Sequence, residues 1–152
     1  MSITAARRAM LAVLLVVCLG VPSRANASSR HDATEAGIVR ELNHARTSYG
    51  LPTLRTSRGL ARAADAHSET MRRTNTLDHG DFFSRIRRYV SSRTVGENLA
   101  WMTGCDASVV VSMWLNSRPH RKIMLSKSFR RIGVGSSGSG ECFVTADFAS
   151  AH

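Results

Sequence analysis

The sequence predicts a single α+β domain, and three observations carry that expectation. Apolar residues recur at helical spacing through the first two thirds of the chain. In the last third they alternate at strand spacing around a Gly/Ser turn. With an N-terminal export signal set aside, the remainder of the 152 residues is one domain's worth.

The export signal comes first. Arg7 and Arg8 precede an apolar core from Ala9 to Val21, and Ala25-Asn26-Ala27 follows as a small-x-small cleavage site. The apolar core is short for a bilayer span, so residues 1–27 read as a signal peptide rather than a retained anchor. Val16 and Val17 stand where a lipoprotein signal has small residues, so Cys18 is not read as a lipid attachment site. Removing 27 residues leaves 125 and takes away Arg7, Arg8 and Arg24, so the formal charge falls from +10 to +7. No membrane-spanning segment is then expected.

Residues 28–34 read as a flexible leader. Asp32 with Glu35 three positions on has the form of a capping box. Ile38, Leu42, Ala45 and Tyr49 then share a helical face until Gly50 and Pro52 stop it. Thr56 or Ser57 opens a second helix to about Arg73, with Leu60, Ala64, His67 and Met71 along its buried stripe. A histidine on such a stripe is read as a hydrogen-bonded structural residue, not a ligand. Asp81 caps a short helix whose apolar side is Phe82, Phe83, Ile86 and Tyr89. Val95 to Met102 is a strand or extended chain broken by Gly104. Asp106 caps a helix with Val109, Val110, Met113 and Trp114 buried, and Pro119 starts another near Ser117 or Arg118. Ile132 and Val134, then Cys142 to Phe148, read as two antiparallel strands joined by residues 135–140.

Chemistry concentrates at Val95-Gly-Glu-Asn-Leu-Ala-Trp101, where Glu97 interrupts an apolar run. A buried carboxylate costs several kcal/mol unless paired. His79 and His120, each beside a turn signal, are its candidate partners. Self-contained enzyme signatures such as His-Glu-x-x-His, Gly-x-Ser-x-Gly and Cys-x-x-Cys do not occur. Gly133, Gly135 and Gly138 spell Gly-x-Gly-x-x-Gly, but a strand follows where a dinucleotide site needs a helix, so that reading is rejected. Cys105 and Cys142 are an even pair in an exported chain. They read as one disulfide closing a loop of about 37 residues, the alternative being two buried thiols.

Several segments together resemble the bacterial branch of the CAP superfamily, which holds cysteine-rich secretory proteins, insect antigen 5 and plant pathogenesis-related proteins. They are Gly96-Glu-Asn-Leu-Ala-Trp101, Trp114-Leu-Asn-Ser-Arg-Pro-His-Arg121 and Ile132-Gly-Val-Gly135. Leu42-Asn43-x-x-Arg46, Gly50-Leu-Pro-x-Leu54 and Ala66-His-Ser-x-x-Met71 fit as well. The resemblance implies an α-β-α sandwich, with a small antiparallel sheet between helical layers, over residues 35–150. It also implies a cleft with two histidines, His79 and His120, and a first acid, Glu97. A second acid belongs where this chain has Ser117, and Asp78 or Asp81 is a candidate replacement.

Two imidazoles and a carboxylate suit zinc or a similar divalent cation with open positions for water. The alternative is a metal-free His–Glu–His hydrogen-bond network. Asn98, Trp101, Trp114 and Ser117 are expected to line the cleft. The expected function is a secreted, extracellular binding module, monomeric and without catalysis. Its ligand would be a metal, a small apolar molecule or an anionic envelope polymer, with no specific nucleic-acid partner. The alternative is a metal-assisted hydrolase using His79, Glu97 and His120.

Overall fold

The computed structural model describes residues 24–151, with side chains from residue 31 onward. The expected signal peptide, apart from its last four residues, lies outside the described residues. The elements are α1 (Arg24–Ser48), β1 (Arg55–Thr56), α2 (Arg58–Thr74), α3 (Phe82–Arg87), β2 (Val95–Thr103), α4 (Ala107–Asn116), α5 (Arg118–Met124), β3 (Arg131–Ser137) and β4 (Glu141–Ala149). The strands form one sheet in the order β1-β3-β4-β2. The β1–β3 pair is parallel, and β3–β4 and β4–β2 are antiparallel.

Side chains on a strand alternate between faces, so β4 shows how the layers divide. Cys142, Val144, Ala146 and Phe148 join Ile132, Val134 and Ala100 against Ile38 and Leu42 of α1, Val110 and Trp114 of α4 and Met124 of α5. The intervening residues face α2 and α3. There Ala149 packs with Leu60, Ile86 and Val95, and Phe143 packs with Met71 and Leu99. The result is a three-layer α-β-α sandwich. On the second face α2 presses so close that a Cβ at Gly133 would overlap the backbone of Leu60 and Ala61, and one at Gly135 that of Ala64 and Asp65. Those glycines serve helix–sheet packing, which is why a Gly-x-Gly stands there without a nucleotide.

The N-terminal motif residues are ties between elements. Asn43 exchanges hydrogen bonds with both backbone groups of Leu54 (3.0 and 2.8 Å). Arg46 is fully buried and donates to the carbonyls of Pro52, Met124 and Ser126 at 3.0, 2.7 and 3.0 Å. Cys105 and Cys142 form the disulfide, with Cα atoms 5.6 Å apart, fastening the loop after β2 to the core of β4. Asp81 and Asp106 cap α3 and α4 through their side chains, as their positions led one to expect.

Three expectations need correction. Helix α1 runs through the segment read as a leader, because nothing between Arg24 and Asp32 breaks a helix. Asp32 is therefore interior, and Glu35 accepts instead from the backbone and hydroxyl of Ser136, at 2.9 and 3.0 Å. On α4 the buried face is Val110, Val111 and Trp114, while Val109 and Met113 are exposed. A run of three valines fits either helical face, and Trp114, the largest side chain, decides which one turns inward. Strand β1 was not expected at all, since its two residues are too few to show an alternation.

Candidate functional site

Strand β2 lies at the edge of the sheet, and Glu97 points to the α2/α3 side with Val95 and Leu99. Its carboxylate is wholly buried. Both oxygens are engaged: Oε1 accepts from His79 Nδ1 at 2.7 Å and Oε2 accepts from Arg85 Nη2. Arg85, on α3, also donates to the His79 carbonyl at 3.2 Å, so one guanidinium fixes both the acid and the loop that carries the imidazole. A carboxylate only accepts, so the His79 Nδ1 carries the hydrogen. The His79 side chain is 50 % exposed. Among the described residues its Nε2 makes no hydrogen bond.

His120 reaches the same strand edge from the opposite layer. It sits on α5, its carbonyl accepts from Asn98 Nδ2 at 3.0 Å, and its Nδ1 lies 2.9 Å from the Ser117 hydroxyl. Burial and then repulsion from His79 push its pKa down, which favours the neutral form of the His120 ring. Each ring is thus held through Nδ1, His79 by an acid and His120 by a hydroxyl. Metal-ligating histidines are oriented by such partners.

His67 donates Nε2–H to the Asp78 carbonyl at 2.8 Å and thereby anchors the Asp78-His79-Gly80 turn. Burial and the charge of Arg85 hold its pKa below the ordinary histidine value. It has the structural role expected of a histidine on a buried stripe. Among the described residues, neither candidate for the missing acid bonds to Glu97, His79 or His120. Asp78 accepts from Gly80 N and Asp81 from Ser84 N, both within their own turns.

A carboxylate that the sequence did not single out lies here instead. Asp147, on β4, is in register with Glu97 across the β2–β4 pair and is fully buried. Its Oδ1 is 3.6 Å from Arg85 Nη2, and neither of its oxygens has a hydrogen-bond partner. Burial pushes its pKa up to about 7, against the opposing pull of Arg85. One guanidinium thus stands between two buried carboxylates.

The cleft-lining expectations divide. Ser117 supports His120, and Trp101 is 48 % exposed with its ring 6.4 Å from that of Phe143. Asn98 is fully buried, because its amide supports α5 from within. Trp114 is buried in the core and donates Nε1–H to the Leu99 carbonyl at 2.8 Å. It pins β2 to α4 and lines no cleft.

Among the described residues, no three His, Cys, Asp or Glu side chains are placed to hold a metal ion together. The expected set of His79, Glu97 and His120 is not assembled, because Arg85 and His79 already take both Glu97 oxygens. The two imidazoles each have Nδ1 engaged and, among the described residues, no hydrogen bond at Nε2.

The profile of the cysteine-rich secretory protein family, CAP, matches residues 39–148. This chain is a member of the CAP family. Two relatives come from Bacillus subtilis. Uncharacterized protein YkwD is 35 % identical over 121 residues, covering 76 % of this chain and 47 % of its own length. Uncharacterized membrane protein YlbC is 32 % identical over 108 residues, covering 67 % and 31 %. The CAP chain therefore spans less than half the length of each. A crystal structure of an extracellular protein containing a SCP domain, from Bacillus anthracis, superimposes with a TM-score of 0.78 at 27 % identity over 87 % of this chain and 45 % of that one. An outer surface protein from Borrelia burgdorferi shares the fold, with a TM-score of 0.72 at 21 % identity over 79 % of this chain and 94 % of that one. These neighbours are described as extracellular or outer-surface proteins. No described helix of the CAP chain is long and apolar enough to cross a membrane.

Proposed function

We propose that this CAP domain is a secreted, non-catalytic binding module whose cleft, bounded by His79 and His120, takes up a divalent cation such as zinc reversibly. The observation that carries the reading is the full engagement of Glu97. A general base must reach the proton that it removes. The Glu97 carboxylate is buried and held on both oxygens, Asp78 and Asp81 serve their own turns, and Asp147 is sealed beneath Arg85. This supports binding over the metal-assisted hydrolase reading. A bound zinc would supply Lewis acidity. The residues to hold it are His79 and His120, with Glu97 and Ser117 fixing the two rings from behind.

Zinc titration of the full chain by calorimetry tests the proposal. One site is expected, weakened at least tenfold in His79→Ala and in His120→Ala. Ser117→Ala is expected to weaken it by about 10-fold, as loss of an orienting partner does. Indistinguishable isotherms for wild type and both histidine variants would remove the site.

A further inference from the structure

We propose that the surface formed by α3, the residues that follow it and the facing side of α2 docks the domain on an anionic lipid bilayer. This stands independently of the cleft reading. Helix α3 buries Ile86 and turns Phe83 and Arg87, one helical turn apart, outward. Phe83 is 50 % exposed and the Arg87 guanidinium lies over its ring, 5.9 Å from the centroid. Tyr89, two residues beyond the helix, is 36 % exposed, and Arg62 of α2 lies 5.4 Å over its ring. Six helical residues rise only about 9 Å, so the two arginine–aromatic pairs lie close along the axis of α3, with Arg88 between Arg87 and Tyr89 in the chain.

Arg62, Arg87 and Arg88 are exposed, and no ion pair engages any of them among the described residues. Asp81 is the carboxylate that neighbours Arg88, and it is already committed to capping α3. The acids gather elsewhere: Asp32, Glu35, Asp65 and Glu69 line a cavity of about 260 Å³ with Ser136 and Ser137.

The half-exposed aromatic rings choose the partner. A soluble anionic polymer gains from the arginines but has no apolar phase to receive Phe83. A bilayer interface rewards both, with lipid phosphates for the guanidinium groups and the headgroup boundary for the rings. Phe82, which stacks on Phe83 at 4.3 Å, lies 6.2 Å from the His79 ring, so docking would bring the cleft to the membrane surface.

Sedimentation with phosphatidylcholine vesicles, with and without phosphatidylglycerol, tests this. Wild type and variants are compared as full chains on the same vesicles, so any contribution of residues 9–21 is common to all. The phosphatidylglycerol-dependent part of the binding is expected to fall at least tenfold in Arg62→Glu/Arg87→Glu and several-fold in Phe83→Ser. It should vanish above roughly 0.5 M salt, where screening acts within a few ångströms. Both variants alter exposed side chains, and unchanged melting temperatures would show them folded. The proposal is overturned if anionic lipid adds no binding, or if the charge reversal leaves it unchanged. It is equally overturned if Phe83→Ser binds vesicles like wild type while dextran sulfate competes fully, which would make the patch a polymer surface.

Discussion

Replacing Arg85 with leucine is expected to lower the unfolding free energy by about 3–5 kcal/mol, among the largest effects of any single change outside the apolar core. The guanidinium is the cation shared by two wholly buried carboxylates, Glu97 and Asp147. Without it Glu97 keeps only His79, and Asp147 keeps nothing. The loss arises from charge left uncompensated and not from contact area, so a double substitution discriminates. Arg85→Leu with Asp147→Leu is expected to recover part of the stability, since removing both partners of a buried pair costs far less than removing one. Urea denaturation of the two variants reads this directly. A double variant no more stable than Arg85→Leu would show that Asp147 is not part of the cluster.

The second large effect is on pH dependence. Burial raises the Asp147 pKa from 3.8 to about 7. A carboxyl that binds its proton more tightly folded than unfolded stabilises the fold fully below about pH 4, and that contribution fades as pH rises through about 7. Between those limits the change is on the order of a few kcal/mol. Glu35 and Asp65, raised by burial to about 7 and about 6, act in the same direction but are more exposed to solvent. His67 and His120, both lowered by burial, act oppositely, with stability lost as pH falls through their depressed values. Wild type is therefore expected to have a higher denaturation midpoint near pH 5 than near pH 8, with the slope flattened in Asp147→Asn. A variant profile parallel to wild type would show that the slope arises elsewhere.

Much of the architecture could be read in the sequence because single residues signal it locally. Asp81 and Asp106 announce helix starts, Pro119 opens α5, and the alternation of Cys142 to Phe148 around a Gly/Ser turn gives the hairpin. The CAP motifs turn out to be ties: Asn43 to Leu54, Arg46 to three carbonyls, and glycines against α2. The start of α1 was hidden because a capping-box pattern also occurs inside a helix when its glutamate finds a tertiary partner, here Ser136. At the site, His79 and Glu97 were legible because a carboxylate in an apolar run demands a partner. Arg85 was not, since it stands in the run Arg85-Ile-Arg-Arg88 and only the packing of α3 on β2 turns this arginine inward while Arg87 and Arg88 stay exposed. Asp147 was masked in the same way by apolar neighbours on both sides. Its place across from Glu97 is a matter of strand register, which no local pattern displays.

In the proposed binding module Glu97 holds His79 from behind through Nδ1 and leaves Nε2 for a ligand. Long-range nitrogen–proton correlation spectra of the metal-free full chain report the tautomer of each neutral imidazole ring. The hydrogen of His79 is expected on Nδ1, with a bare Nε2, and that preference is expected to be lost in Glu97→Leu. A His79 ring carrying its hydrogen on Nε2 in the wild-type protein would contradict it, because Oε1 of Glu97 would then lose its donor and the outward-facing ring nitrogen its lone pair.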